Sequence, residues 1–170
     1  MLNILIEENT IKEKIKKIGA QINHDYANKN PVMVGILKGA FVFLADLLRS
    51  IEIPLEIDFL AISSYNGKAS SGVVKIIQDL AINIEDRDII VVEDIVDSGR
   101  TLNYIIENLK TRHPRSLAIC TLLNKKEERM VDIPLTYVGF NIPPVFVVGY
   151  GLDYDNQYRN LPYIGVYDGK

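Results

Sequence analysis

Ile11, Ile15, Ile18 and Ile22 recur at steps of three and four, with Lys12, Lys14, Lys16 and Lys17 between them. That spacing is one apolar face of an amphipathic helix, and the lysines are its wet side. A helix is therefore predicted from Glu8 to about Asn28, ending before Pro31. The pattern changes at Val32-Met-Val-Gly-Ile-Leu37, a continuous apolar run suited to a strand buried on both faces. Lys38-Gly39 makes a turn, and Phe41, Leu44, Leu47 and Leu48 mark a second helix from Ala40 to about Ser50. Further strands are predicted over residues 55–63, 73–77, 88–94, 117–123, 137–140 and 145–148. Leu102, Ile105, Ile106 and Leu109 supply a third helical face between two of them.

Strands alternating with helices predict an α/β fold, a parallel sheet flanked by helices on both faces. In such sheets ligands sit outside the carboxyl ends of the strands. Two stretches break the alternation. Residues 63–72 are small, polar and glycine-bearing, and read either as a long hairpin loop or as a mobile lid. The last 20 residues are rich in Tyr, Asp and Asn with little helical period, which predicts an irregular hood over one end of the sheet.

The strand over 88–94 carries the densest chemistry, in Ile89-Ile-Val-Val-Glu-Asp-Ile-Val-Asp-Ser-Gly-Arg-Thr101. Four β-branched residues lead to Glu93 and Asp94, Asp97 follows, and Ser98-Gly99-Arg100-Thr101 opens the third helix. A helix start with a glycine turn presents free N–H groups that suit a phosphate. Carboxylates beside it suit sugar hydroxyls and Mg²⁺. A simple helix cap accounts for Asp97 or Ser98 alone. It leaves Glu93 and Asp94 unexplained, because unpaired acids at the end of a buried strand cost stability. One short segment serving both a phosphate and a sugar diol points to a phosphorylated sugar.

Composition narrows the setting. The chain has 170 residues, 48% of them hydrophobic, which is enough for one core and one domain spanning 1–170. With 19 basic and 22 acidic residues, a net charge of −3 offers no basic excess for a nucleic-acid partner. Cys120, the one cysteine, lies in an apolar run, which predicts a core residue and suits the reducing cytoplasm. Besides it there are only His24 and His113, so neither a zinc cluster nor a Cys-His nucleophile pair is predicted. Met1-Leu-Asn-Ile-Leu-Ile-Glu-Glu8 is too short an apolar run for a signal peptide, and no membrane segment is predicted.

The segment Glu93-Asp-Ile-Val-Asp-Ser-Gly-Arg-Thr101 resembles the phosphoribosyl-pyrophosphate (PRPP) signature of the type I phosphoribosyltransferases. In detail it is similar to the hypoxanthine-guanine branch, with Arg100 where some members carry lysine. The resemblance runs from about Pro31 to Arg159, in the family's order, over a core of about 31–160. It implies that Glu93, Asp94, Asp97, Ser98, Gly99, Arg100 and Thr101 bind the ribose 5-phosphate part of PRPP, with Asp97 as the catalytic proton acceptor. Gly35-Ile-Leu-Lys-Gly-Ala40 resembles the family's pyrophosphate loop, in which the peptide before the lysine is often cis. Lys38 and Gly39 would then hold pyrophosphate together with Arg159, whose forked guanidinium suits that anion.

Leu122-Leu-Asn-Lys125 matches the context of the family's purine-contacting lysine. Phe146-Val-Val-Gly-Tyr-Gly-Leu-Asp153 resembles the family's Phe-Val-Val-Gly-Tyr-Ala/Gly-Leu-Asp block. The resemblance implies that Phe146 stacks on the base, the Val147 main chain bonds its edge, and Asp153 faces a second Mg²⁺. Ser64 and Tyr65 correspond to the lid. The implied reaction is Mg²⁺-dependent transfer from PRPP to hypoxanthine or guanine, giving IMP or GMP and pyrophosphate, by a homodimer or homotetramer. The metal ligands would be Glu93, Asp94 and Asp153. Two other functions share features of the pattern. A pyrimidine-sensing RNA binder on the same fold calls for a basic face, and a signalling receiver domain calls for an acidic pair after its first strand.

Overall fold

The structure, a computed structural model, describes residues 2–64 and 74–169. Its first layer is the helix α1 (Glu8–Asp25), preceded by a short strand β1 (Asn3–Ile6). Strand β2 (Val32–Leu37), helix α2 (Phe41–Leu48), and strands β3 (Glu56–Ser64) and β4 (Val74–Gln78) follow. Strand β5 (Asp88–Val96), helix α3 (Arg100–Lys110), and strands β6 (Ser116–Asn124) and β7 (Tyr137–Asn141) complete the central sheet. Two short strands, β8 (Val147–Val148) and β9 (Ile164–Val166), close the chain.

The six-stranded sheet has the order β4-β3-β2-β5-β6-β7. Every neighbouring pair is parallel except β3 with β4. Strand alternation divides the core in two. Met33, Ile90 and Val92 face one side, where they pack with Ile11, Ile15, Ile18 and Ile22 of α1 and Phe43, Leu44 and Leu47 of α2. Val32, Val34, Ile89 and Val91 face the other, against Leu102, Ile105, Ile106 and Leu109 of α3. Each such aliphatic side chain contributes roughly 1.5–3 kcal/mol when fully buried. Cys120 is buried in the first cluster and unpaired. No helix among the described residues is long and apolar enough to cross a membrane.

The ends of the chain depart from the pattern-based expectation. The hood contains a small antiparallel sheet of order β1-β9-β8, in which β1 and β8 both pair with β9. β1 and β9 are too short to show a period, and the strand expected over 145–148 is present as Val147–Val148 but pairs with β9 and not in the central sheet. The hood rests on the turn after β2: a Cβ on Gly151, whose φ is +100°, would lie 2.2 Å from the Gly39 carbonyl oxygen. Only a glycine permits that approach.

Candidate active site

β5 delivers Glu93 and Asp94 to its carboxyl end, and the chain turns through Asp97, Ser98 and Gly99 into α3. Gly99 has φ 81°, a left-handed conformation that glycine adopts without strain. A Cβ there would also lie 3.0 Å from the Ile133 side chain and 3.2 Å from the Val131 carbonyl oxygen. The first bond within the helix runs from Asn103 N–H to the Gly99 carbonyl, at 2.8 Å. The N–H groups ahead of it therefore belong to an open helix start. A cavity of about 330 Å³ lies here, lined by Leu37 and Gly39 from the β2 turn and by Glu93, Asp94, Asp97, Ser98, Gly99 and Thr101. Arg100 is exposed beside it.

Electrostatics mark the acidic pair. Burial, followed by the neighbouring Asp94 charge, pushes the Glu93 carboxyl well above its usual range. Burial also raises Asp94, against the hydrogen bond it accepts from the Ile95 N–H at 2.9 Å. The positive charge of Arg159 also acts on Asp94, in the lowering direction. The Leu37–Lys38 peptide is cis, and the Lys38 side chain is exposed. Gly39 packs directly on Asp94, since a Cβ at Gly39 would lie 1.7 Å from Asp94 Oδ2.

Lys125, at the end of β6, is buried, and its ammonium lies 3.2 Å from Asp97 Oδ1 and 3.5 Å from Glu128 Oε2. Its own N–H donates to the Val96 carbonyl at 3.0 Å, which ties the ends of β5 and β6 together. Val147 is buried in β8, whereas Phe146 is half exposed. Arg159 pairs with Asp153 at 2.7 Å and donates to the Gly151 carbonyl at 2.6 Å. Asp153 also accepts from the Asn156 N–H at 2.8 Å. Ser64 closes β3 with its backbone paired to Val74, and Tyr65 lies outside the described residues with most of 63–72.

A family model of the phosphoribosyl transferase domain matches residues 4–155. The hypoxanthine-guanine phosphoribosyltransferase of Streptococcus pyogenes is 52% identical over 164 residues, covering 96% of this chain and 91% of that protein. The chain belongs to the hypoxanthine-guanine phosphoribosyltransferase family. The crystal structure of a Bacillus anthracis hypoxanthine-guanine phosphoribosyltransferase superimposes with a TM-score of 0.93 at 44% identity, covering 97% of this chain and 98% of that one. The bifunctional protein TilS/HprT of Listeria monocytogenes is 51% identical over 164 residues, covering 96% of this chain. The chain spans 25% of the length of that relative.

The family works with a divalent metal. Glu93 and Asp94 fit such an ion, because a cation would offset the burial and repulsion that raise these carboxyls. Among the described residues no group of three His, Cys, Asp or Glu side chains gathers into a metal cage. Asp153, expected to face a second ion, pairs with Arg159. Two carboxylates with phosphate, hydroxyl and water ligands are how Mg²⁺ is commonly bound.

Sequence reasoning missed the segment after Lys125. Arg129 Nε donates to the Asp97 carbonyl at 3.1 Å, and its guanidinium also reaches Asn124 Oδ1. Asn124 in turn donates to Asn141 at 2.7 Å. Met130 and Val131 N–H both donate to the Ser98 carbonyl, at 3.0 and 3.2 Å. This strap holds the 97–99 turn in place. Lys126-Glu-Glu-Arg129 looks like a solvated charge run in sequence, so no local signal sets Arg129 apart.

Proposed function

We propose that this chain transfers the 5-phosphoribosyl group of PRPP to N9 of hypoxanthine or guanine, forming IMP or GMP and pyrophosphate in the cytoplasm. The observation that carries this reading is one cavity shared by Glu93, Asp94, Asp97 and the start of α3, with Lys125 buried against Asp97. Those groups meet the needs of a diol, a phosphate and a base that must lose a proton. The main-chain N–H groups of Ser98 to Thr101, with the Ser98 and Thr101 hydroxyls, hold the 5-phosphate at the helix start. Glu93 and Asp94 hold the ribose hydroxyls.

The C1–oxygen bond to pyrophosphate breaks as the C1–N9 bond forms, through an oxocarbenium-like state. The purine N7 proton passes to Asp97. Lys38, Gly39 and Arg159 bind the departing pyrophosphate, and Arg159 must loosen from Asp153 to do so. Mg²⁺, which Glu93 and Asp94 would hold, supplies positive charge for the leaving group. Asp153 becomes free for a second ion only when its pair with Arg159 opens. Phe146 stacks on the base, the Val147 main chain meets its edge, and Lys125 donates to O6. The Ser64-Tyr65 lid excludes water that would hydrolyse PRPP. The chain works as a homodimer or homotetramer.

Incubation with PRPP, Mg²⁺ and each of hypoxanthine, guanine, adenine and uracil tests the reading by the nucleotide formed. IMP and GMP are expected. Formation of a uridine nucleotide alone, or of no nucleotide, overturns it.

A further inference from the structure

Four aromatic rings from two separated segments meet beside β8. Tyr154 and Tyr167 are stacked, with centroids 4.3 Å apart and planes 26° apart. Phe146 meets Tyr154 edge-on at 6.0 Å and 89°, and Tyr167 at 6.1 Å and 65°. Tyr158 lies behind Tyr167 at 5.9 Å. The backbone enforces this meeting, because Val147 pairs with Val166 across β8 and β9, and Tyr167 N–H donates to the Phe146 carbonyl at 2.9 Å. None of this is core formation, since Phe146 remains 51% exposed and Tyr154 46% exposed.

We infer that Tyr167 is a positioning residue for the purine: stacked on Tyr154, it fixes the plane of the Phe146 ring so that the base meets a preformed platform. The inference rests on the reading of Phe146 as the residue that stacks on the base. A half-exposed phenylalanine without lateral contacts samples several rotamers, and binding must then select one of them. Edge contacts from two rings already held against each other remove most of that freedom before the base arrives. Tyr167 comes from a segment that carries none of the groups assigned to PRPP. Its contribution should therefore fall on the purine and leave PRPP untouched.

The experiment compares the full chain with Tyr167→Leu, Tyr167→Phe and Phe146→Leu. Steady-state rates are taken with hypoxanthine varied at saturating PRPP, and then the reverse, beside thermal melts. Tyr167→Leu should raise the hypoxanthine KM about three- to tenfold, the worth of one aromatic pair. The PRPP KM and kcat should stay within about twofold, because neither Tyr167 nor its ring partners are among the groups assigned to PRPP. Tyr167→Phe keeps the stack and should restore the hypoxanthine KM. Should Tyr167→Leu melt well below the parent, Tyr154→Leu breaks the same stack from the other side and should give the same purine-only effect. An unchanged hypoxanthine KM in both stack-breaking variants overturns the inference, as does a parallel rise in both KM values or a Phe variant that behaves like Leu. If Phe146→Leu also leaves the hypoxanthine KM unmoved, the stacking role of Phe146 fails and this inference falls with it. If Phe146→Leu raises that KM and the tyrosine variants do not, only this inference fails.

Discussion

The Lys125 ammonium sits 3.2 Å from Asp97 Oδ1, joining the end of β6 to the turn that leaves β5. Lys125 is buried, and a cation in that position needs a partner to be tolerated. On the proposed mechanism the partner changes during the reaction. The lysine turns a proton toward O6 of the incoming purine, and Asp97 becomes free to take the proton from N7. A carboxylate that both waits on a cation and accepts a proton gives the first prediction.

Asp97→Asn keeps the size and polarity of the side chain but cannot accept a proton. Turnover should fall by at least about tenfold, toward the 10²–10⁴-fold typical of a lost acid–base group. PRPP affinity should stay near the parent value, since the proposed phosphate contacts come from Ser98 to Thr101. Single-turnover rates with titration of PRPP check both halves. A turnover within a few-fold of the parent rules out Asp97 as the base.

Lys125 donates and cannot accept, so in the proposed site it would pair with O6 and confront the adenine amine with an unmatched donor. Adenine should react slower than hypoxanthine by about 10⁴-fold, the scale reached when buried polar groups are left unpaired. Lys125→Ala should lower kcat/KM for hypoxanthine about ten- to hundredfold, the worth of a charged hydrogen bond, and narrow the gap to adenine. Competition between the two bases measures this. Rapid adenine conversion by the parent chain would contradict it.

Glu93 and Asp94 repel each other in a buried setting, which the proposed sugar and metal binding would account for. The double variant Glu93→Gln with Asp94→Asn should bind PRPP at least about tenfold more weakly, a loss on the scale of one or two charged hydrogen bonds. The dependence of its rate on Mg²⁺ should be blunted. Its melting temperature should equal or exceed the parent's, because the like-charge repulsion is gone. Calorimetric titration and thermal melts give both numbers. A sharply lower melting temperature with PRPP affinity intact would make the pair structural.

Gly39→Ala places a methyl group 1.7 Å from Asp94 Oδ2, so the turn after β2, the proposed pyrophosphate loop, and the carboxylate cannot both stay where they are. Overpacking of this kind costs about 1–3 kcal/mol. PRPP affinity should drop more than about tenfold, and the melting temperature should fall by several degrees. Parent-like PRPP binding would show that the contact between loop and carboxylate is dispensable.

Much of this protein was legible along the chain because its chemistry is local. Continuous apolar runs define β2, β5 and β6, and the three-and-four spacing defines α1 and α3, since each element buries its own side chains. Glu93, Asp94, Asp97 and the start of α3 occupy nine consecutive positions, so one strand–turn–helix unit suffices to bring them to one cavity.

Tertiary structure decided whatever depends on partners distant in sequence. β1 and β9 are too short to show a period and exist by pairing with each other across the chain. Lys125 meets Asp97 and Arg129 reaches the Asp97 carbonyl, because the loops at the ends of neighbouring elements fold onto one another. Tyr167 meets Phe146 and Tyr154 only because β9 pairs with β8. Period and composition report what an element buries, and they carry no information on which separate loops come to share one space.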